Sequence, residues 1–94
     1  MYVFTTHSEL RSFLKKQTGS IGLVPTMGAL HKGHLSLVQK AAENNNWVLV
    51  SIFINPTQFN NANDLTKYPK NTAKDLELLT PYNTKLIVYT PDDS

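Results

Sequence analysis

The chain has no cysteine, so it can carry neither a disulfide framework nor a thiolate metal site. That absence fits a reducing cytosol. It also has no long hydrophobic run. The longest, Trp47–Ile54, is interrupted by Ser51 and falls far short of the ~20 apolar residues that span a bilayer. The N-terminus, Met1-Tyr2-Val3-Phe4-Thr5, lacks the basic start and apolar middle of a signal peptide. Charge is sparse, at 17% of residues and a net +2. The nine Lys and Arg residues are scattered from Arg11 to Lys85, with only Lys15 and Lys16 adjacent. That scatter gives no stripe for nucleic acid and no polybasic patch for a membrane surface. Internal repeats and low-complexity tracts are absent too. The expectation is a soluble, cytoplasmic protein with no nucleic-acid or membrane partner.

What is present is ordinary globular material: 94 residues, 40% of them hydrophobic. A domain of this size buries roughly 60–65% of the surface its unfolded chain exposes, enough for one small core. Four strand-like runs alternate with three helix-like ones. Tyr2–Thr5 is short and β-prone. Thr6 and Glu9 have the spacing of a capping box, and Leu10, Phe13 and Leu14 follow at helical spacing, predicting a helix to about Gln17. Ile21–Thr26 is apolar without alternation, as in a strand covered on both faces. A second helix is expected from Gly33 or His34, with Leu35, Val38 and Ala42 on one face and Asn44-Asn45-Asn46 as its stop. Trp47–Ile54 is the strongest strand. Thr72–Leu79 reads as the third helix, with Leu76 and Leu79 inward, and Lys85–Tyr89 as the last strand. Such alternation implies a parallel sheet, whose ligands bind beyond the carboxyl ends of the strands.

Two segments meet that condition. The first is Met27-Gly28-Ala29-Leu30-His31-Lys32-Gly33-His34, which leaves a strand and enters a helix. A helix N-terminus attracts phosphate through its unpaired N–H groups and macrodipole. Gly28 and Gly33 let the backbone turn and approach a ligand. His31 and His34 flank one small space, where each could donate a hydrogen bond to phosphate or a proton to a leaving group. The same pair could instead be satisfied by backbone groups. A metal pair is a third reading, although no cysteine or second histidine cluster completes its ligand set.

The second segment is Asn55-Pro56-Thr57-Gln58-Phe59, at the end of the strongest strand. Side-chain amides both donate and accept, which suits the carboxylate and hydroxyl of a hydroxy acid. Asn55 could equally form a turn with its own backbone. The stretch from Asn55 to Asn71 holds two prolines and five asparagines in 17 residues, long for a plain connection. A short helix is expected within it near Asp64–Tyr68. Lys67 and Tyr68 could reach the same space, though packing or solvated roles suit them better. Trp47 reads as a core or rim residue, Lys15-Lys16 as a solvated face, and His7 as a surface residue by the first helix.

Val24-Pro25-Thr26-Met27-Gly28-Ala29-Leu30-His31-Lys32-Gly33-His34 followed by Ser51-Ile52-Phe53-Ile54-Asn55-Pro56-Thr57-Gln58-Phe59 closely resembles the pantothenate synthetase (pantoate–β-alanine ligase) family. Asp64-Leu65-Thr66-Lys67-Tyr68-Pro69 and Asp75-Leu76 extend the resemblance over essentially the whole chain. The H-x-G-H tetrapeptide alone is shared by a wider nucleotidyltransferase superfamily that includes class I aminoacyl-tRNA synthetases. Such nucleotidyltransferases, which move a nucleotide onto a phosphate ester, are the rival reading; an inert fragment of the fold is another.

The resemblance implies a Rossmann-like α/β fold and an ATP-dependent ligase. ATP, accompanied by Mg2+ held mainly through its phosphates, would activate pantoate as pantoyl adenylate with release of pyrophosphate. β-Alanine would then displace AMP to give pantothenate. By motif position, Met27, Gly28, Ala29, Leu30, His31, Gly33 and His34 would line the ATP site. His34 would act as the acid toward pyrophosphate, assisted by His31. Gln58 would hold pantoate and contact β-alanine, with Asn55 nearby. Lys32 departs from the acidic residue common there in the family. Family members are about three times this length and homodimeric. Residues 1–94 are therefore expected to be the N-terminal part of the nucleotide-binding domain, without the C-terminal domain and inactive alone.

Overall fold

The computed structural model describes residues 1–53 and 72–91. Its elements alternate: β1 (Tyr2–Phe4), α1 (His7–Lys15), β2 (Ile21–Thr26), α2 (Lys32–Asn44), β3 (Trp47–Ile52), α3 (Thr72–Leu79), a 3-10 segment (Thr80–Lys85) and β4 (Leu86–Tyr89). The strands form one four-stranded sheet in the order β1-β4-β3-β2, and every pairing is parallel. The expected parallel α/β architecture is therefore the observed one. All carboxyl ends lie along one edge of the sheet, and the segment after Thr26 leaves from that edge.

Each helix forms for a local reason. At α1, the Thr6 hydroxyl accepts from the Glu9 amide at 3.3 Å and donates to the Glu9 carboxylate at 2.8 Å. The expected cap is thus present, with the glutamate reaching the threonine hydroxyl and not its backbone. The helix stops at Lys15, two residues before the expected end. At the far end of α2, the side-chain amides of Asn44 and Asn45 donate to the carbonyls of Lys40 and Ala41 in the last turn (2.8 and 2.9 Å). Lys85 adds a bond from Nζ to the Ala42 carbonyl at 2.9 Å. Asn44 and Asn45 thus satisfy the helix's end, while Asn46 pairs with Ser20 at the start of β2.

Strand alternation sorts the side chains onto two faces. Val24, Val48, Val50, Ile52, Leu86 and Val88 meet Val38 of α2 and Leu79 of α3 in the main core. Leu35, Ala42 and Leu76 border it, as their spacing predicts, and Ala41 packs there too. On the opposite face Phe13 of α1 packs on Tyr2, Phe4 and Trp47, with ring centroids 4.6–5.8 Å apart, inside the range of attractive aromatic pairs. Trp47 is a half-buried member of that cluster.

One expectation fails. Among the described residues β2 is the outer strand of the sheet and is not covered on both faces: Leu23 is 63% exposed, and Ile21 and Pro25 are exposed beside it. An apolar strand sequence records what faces the strand, not how many faces are covered. β3 likewise alternates between buried and half-buried residues. Phe53 lies beyond its end, while the Ile54 expected within it falls outside the described residues.

Candidate functional site

The site is built on the turn between β2 and α2. Thr26 closes the strand: its hydroxyl donates to the Ser51 carbonyl of β3 at 3.0 Å and accepts from the Gly28 amide at 3.2 Å. Gly28 then takes a φ of +88°, in the left-handed region where an L side chain is strained. A Cβ there would lie 3.3 Å from the Asp75 carboxylate and 3.4 Å from Ile52. Ala29 follows at φ 53°, left-handed without the freedom of glycine. Leu30 is buried in the core and pins the end of the turn.

His31 is the N-cap of α2, so the helix begins at Lys32, a residue or two earlier than expected. The two histidines cap the helix reciprocally. His31 Nδ1 accepts from the Gly33 amide at 3.0 Å, and His34 Nδ1 accepts from the His31 amide at 3.2 Å. Their ring centroids lie 4.2 Å apart, so the two imidazoles stand side by side. An imidazole whose Nδ1 accepts must carry its hydrogen on Nε2. Both rings therefore keep an Nε2–H donor while their inner nitrogens hold the helix start. Gly33 leaves room for this bond: a Cβ there would stand 2.9 Å from the His31 ring, which would have to move.

His34 has its pKa pushed below the ordinary imidazole value. Burial is the main cause and the neighbouring His31 the second, with the Asp75 carboxylate opposing them. His34 is thereby held neutral near pH 7, the form its Nδ1 acceptor role demands.

The expectation of unpaired amides across this turn needs correction. Gly28 donates to Thr26, Ala29 and Leu30 to Asp75, His31 to His34, and Gly33 to His31. The turn has spent these donors on its own shape. What remains for an anion is the Nε2–H pair, the macrodipole, and the first-turn amide of Lys32, which has no carbonyl within the helix to reach.

Met27, Gly28, Ala29, Leu30, His31, Gly33 and His34 are thus brought together in one turn. Asn55, Gln58, Lys67, Tyr68 and the helix expected near Asp64–Tyr68 lie outside the described residues. Among the described residues no group of three or more His, Asp or Glu side chains is arranged to hold a metal ion. Two residues of the turn's framework, Thr26 and Asp75, were given no role by sequence reasoning. Asp75 accepts from residues 45 and 46 positions away, and no local pattern signals such a contact.

A parallel α/β sheet whose strand end delivers an H-x-G-H turn to a helix start defines a Rossmann-like protein of the nucleotidyltransferase type. Comparison with known proteins narrows the class. The family model for pantoate-beta-alanine ligase matches residues 2–94. Pantothenate synthetase from Flavobacterium psychrophilum is 47% identical over 94 residues, covering 97% of this chain and 33% of that protein. The one from Roseiflexus sp. (strain RS-1) is 50% identical, covering 100% of this chain and 34% of that protein. Among solved structures, the pantoate-beta-alanine ligase of Francisella tularensis, complexed with beta-gamma ATP and beta-alanine, superposes with a TM-score of 0.88 at 40% identity. It covers 97% of this chain and 36% of that one. Pantothenate synthetase from Thermus thermophilus gives 0.86 at 39% identity, covering 98% of this chain and 32% of that one. The chain belongs to the pantoate-beta-alanine ligase family, and it spans about a third of the length of the relatives it matches.

Proposed function

We propose that the full-length protein is an ATP-dependent ligase that condenses pantoate with β-alanine, and that residues 1–94 supply the N-terminal part of its nucleotide-binding domain. The observation that carries the reading is the reciprocal histidine cap at the carboxyl end of β2. It holds two neutral imidazoles with Nε2–H donors at a helix N-terminus, a setting suited to a polyphosphate. Kinship with a ligase solved with an ATP analogue and β-alanine supports the choice of substrates.

The chemistry follows from the donors. A carboxylate is a poor acyl donor. Attack of the pantoate carboxylate oxygen on the α-phosphorus of ATP breaks the bond to pyrophosphate and leaves an acyl adenylate. Charge builds on the departing pyrophosphate, and donors fixed before the reaction stabilise it without reorganising. His34 Nε2–H, with His31 beside it, is assigned that task. Because His34 is held neutral, it acts as a hydrogen-bond donor more readily than as a source of a full proton. The β-alanine amine then attacks the acyl carbon, and AMP leaves.

Met27 to Leu30 and Gly33 line the nucleotide, while Gln58, with Asn55, is assigned to pantoate and β-alanine from the motif. Mg2+ accompanies the ATP and is held mainly through its phosphates. Both Asp75 oxygens accept backbone amides of the turn. The resemblance further supports a cytoplasmic homodimer. No described helix is long and apolar enough to cross a membrane.

The test is β-alanine-dependent formation of pantothenate from ATP and pantoate by the full-length protein, with AMP and pyrophosphate as co-products. Transfer of the nucleotide only to a phosphate ester would replace this reading with the nucleotidyltransferase one.

A further inference from the structure

Asp75 is the single buried polar or charged residue among the described residues, at 3% exposure. Placing a carboxylate in a core carries a large desolvation cost unless its oxygens are hydrogen-bonded. Here both are. Oδ2 accepts from Ala29 at 3.1 Å and Oδ1 from Leu30 at 2.9 Å, two consecutive amides of the nucleotide turn. Helix α3 has no need of this for itself. An acid in its first turn would suit the macrodipole equally well in solvent, and an apolar residue would fill the space without a charge to bury.

The turn, by contrast, needs a clamp. Ala29 sits at φ 53°, which an L residue leaves unless something holds it. The two Asp75 bonds fall on that residue and the next, immediately before His31. The carboxylate also stands against the position a Gly28 Cβ would occupy, at 3.3 Å, so the glycine and the aspartate fit one another.

We propose that Asp75 is the positioning residue of the nucleotide site: by clamping the amides of Ala29 and Leu30 it fixes where His31 and His34 stand, without itself touching the ligand. The role rests on the ATP-site reading given above. Asp75 also faces His34 closely enough to favour its protonation against the opposing effects of burial and His31. The clamp is thus coupled to the chemistry of the histidines as well as to their place.

The experiment uses the full-length protein with Asp75→Asn and Asp75→Glu. An asparagine keeps the size, but its one oxygen can serve only one amide, and its NH2 group faces the other, donor against donor. A glutamate keeps the charge and both acceptors while displacing the turn by about one methylene. Misplacement on that scale lowers rates by about 10–100-fold. The expected result for either variant, below its melting temperature, is a loss of that size in kcat/KM for ATP, read by pyrophosphate release. KM for β-alanine at saturating ATP should move by less than about twofold, because that substrate does not depend on the clamp. The acid limb of the Asp75→Asn profile should shift to lower pH, because the carboxylate no longer favours protonation of His34.

Unchanged ATP kinetics in a folded variant would overturn the proposal. So would equal losses for ATP and β-alanine that track the folded fraction, since that marks a structural role alone. If Asp75→Asn does not fold, Asp75→Glu decides by the same criteria. Should the unsubstituted protein make no pantothenate, the ligase reading fails separately. The clamp is then judged by NMR: the variants should speed exchange of the Ala29 and Leu30 amides and mix the Nε2–H tautomers of His31 and His34. Unmixed tautomers would sink it.

Discussion

His34 Nδ1 accepts the amide hydrogen of His31 at 3.2 Å, while His31 Nδ1 accepts that of Gly33, so each ring is oriented by the backbone beside the other. The pair is one device. Both bonds run from a backbone amide to a ring nitrogen, so the start of the helix itself aims the two outer nitrogens.

His34→Ala should therefore separate catalysis from stability. It deletes one preorganised donor, and such deletions lower rates by about 10²–10³-fold. The lost cap bond is exposed, and water can replace it. Its contribution to stability is about 0.5–1.5 kcal/mol. Adenylate formation by the full-length protein, followed as pyrophosphate release, checks the first number, and chemical denaturation checks the second. An unchanged rate would remove the role assigned to His34.

Gly33→Ala tests the space between the histidines. The added Cβ would stand 2.9 Å from the His31 ring, which must swing away and give up its bond to the Gly33 amide. Losing an N-cap bond costs about 0.5–2 kcal/mol. Alanine in place of glycine in a helix returns up to about 1 kcal/mol. The net change in stability is small, on the order of 1 kcal/mol or less, while ATP affinity falls about tenfold or more through the misplaced donor. Calorimetric titration of ATP into the full-length variant reads the affinity. Wild-type affinity in Gly33→Ala would mean that His31 does not reach the nucleotide.

These two predictions also mark how far the sequence alone reaches. Leu35, Val38 and Ala42 recur at helical spacing, and that spacing is enough to lay α2 on the core. The order of the sheet is not written locally. Tyr2 pairs with Ile87, a contact spanning most of the chain, and it is such pairings that leave β2 outermost among the described strands. The H-x-G-H turn stands out in the sequence as a candidate phosphate site because glycines and histidines gather at a helix start. Its reciprocal cap is not, because imidazole is not among the side chains that ordinarily cap helices. Asp75 is hidden for a third reason. An acid in a first turn already has a local explanation, so nothing in its neighbourhood points to a partner 45 residues away.

Gln58→Ala follows from the motif. Gln58 is assigned to pantoate and the histidine turn to ATP, so the substitution should raise KM for pantoate about tenfold or more, the scale of a lost buried polar contact to substrate. KM for ATP should stay within about twofold. Steady-state kinetics of the full-length variant with each substrate varied in turn would show it. Equal weakening of both substrates would count against a dedicated pantoate contact.

The pH dependence follows from the His34 shift, and its sign can be worked out. Burial and His31 lower the pKa of His34 below its ordinary 6.5, against the pull of Asp75. Between the lowered value and about 6.5, the unfolded chain binds a proton at this position that the folded chain refuses. Stability rises with pH wherever the unfolded state binds more protons. The contribution of His34 is therefore complete above about 6.5. It is lost as pH falls through the lowered folded value, where protonation of Nδ1 also breaks the bond to the His31 amide. ATP affinity should weaken over the same interval as the cap opens, even though an imidazolium alone would attract phosphate more strongly. Denaturation midpoints for the wild type and His34→Gln between pH 8 and 5 isolate the effect, since glutamine does not titrate. The wild type should lose its advantage on acidification. A difference between the two proteins that stays constant across that range would show that His34 does not hold its neutral form in the fold.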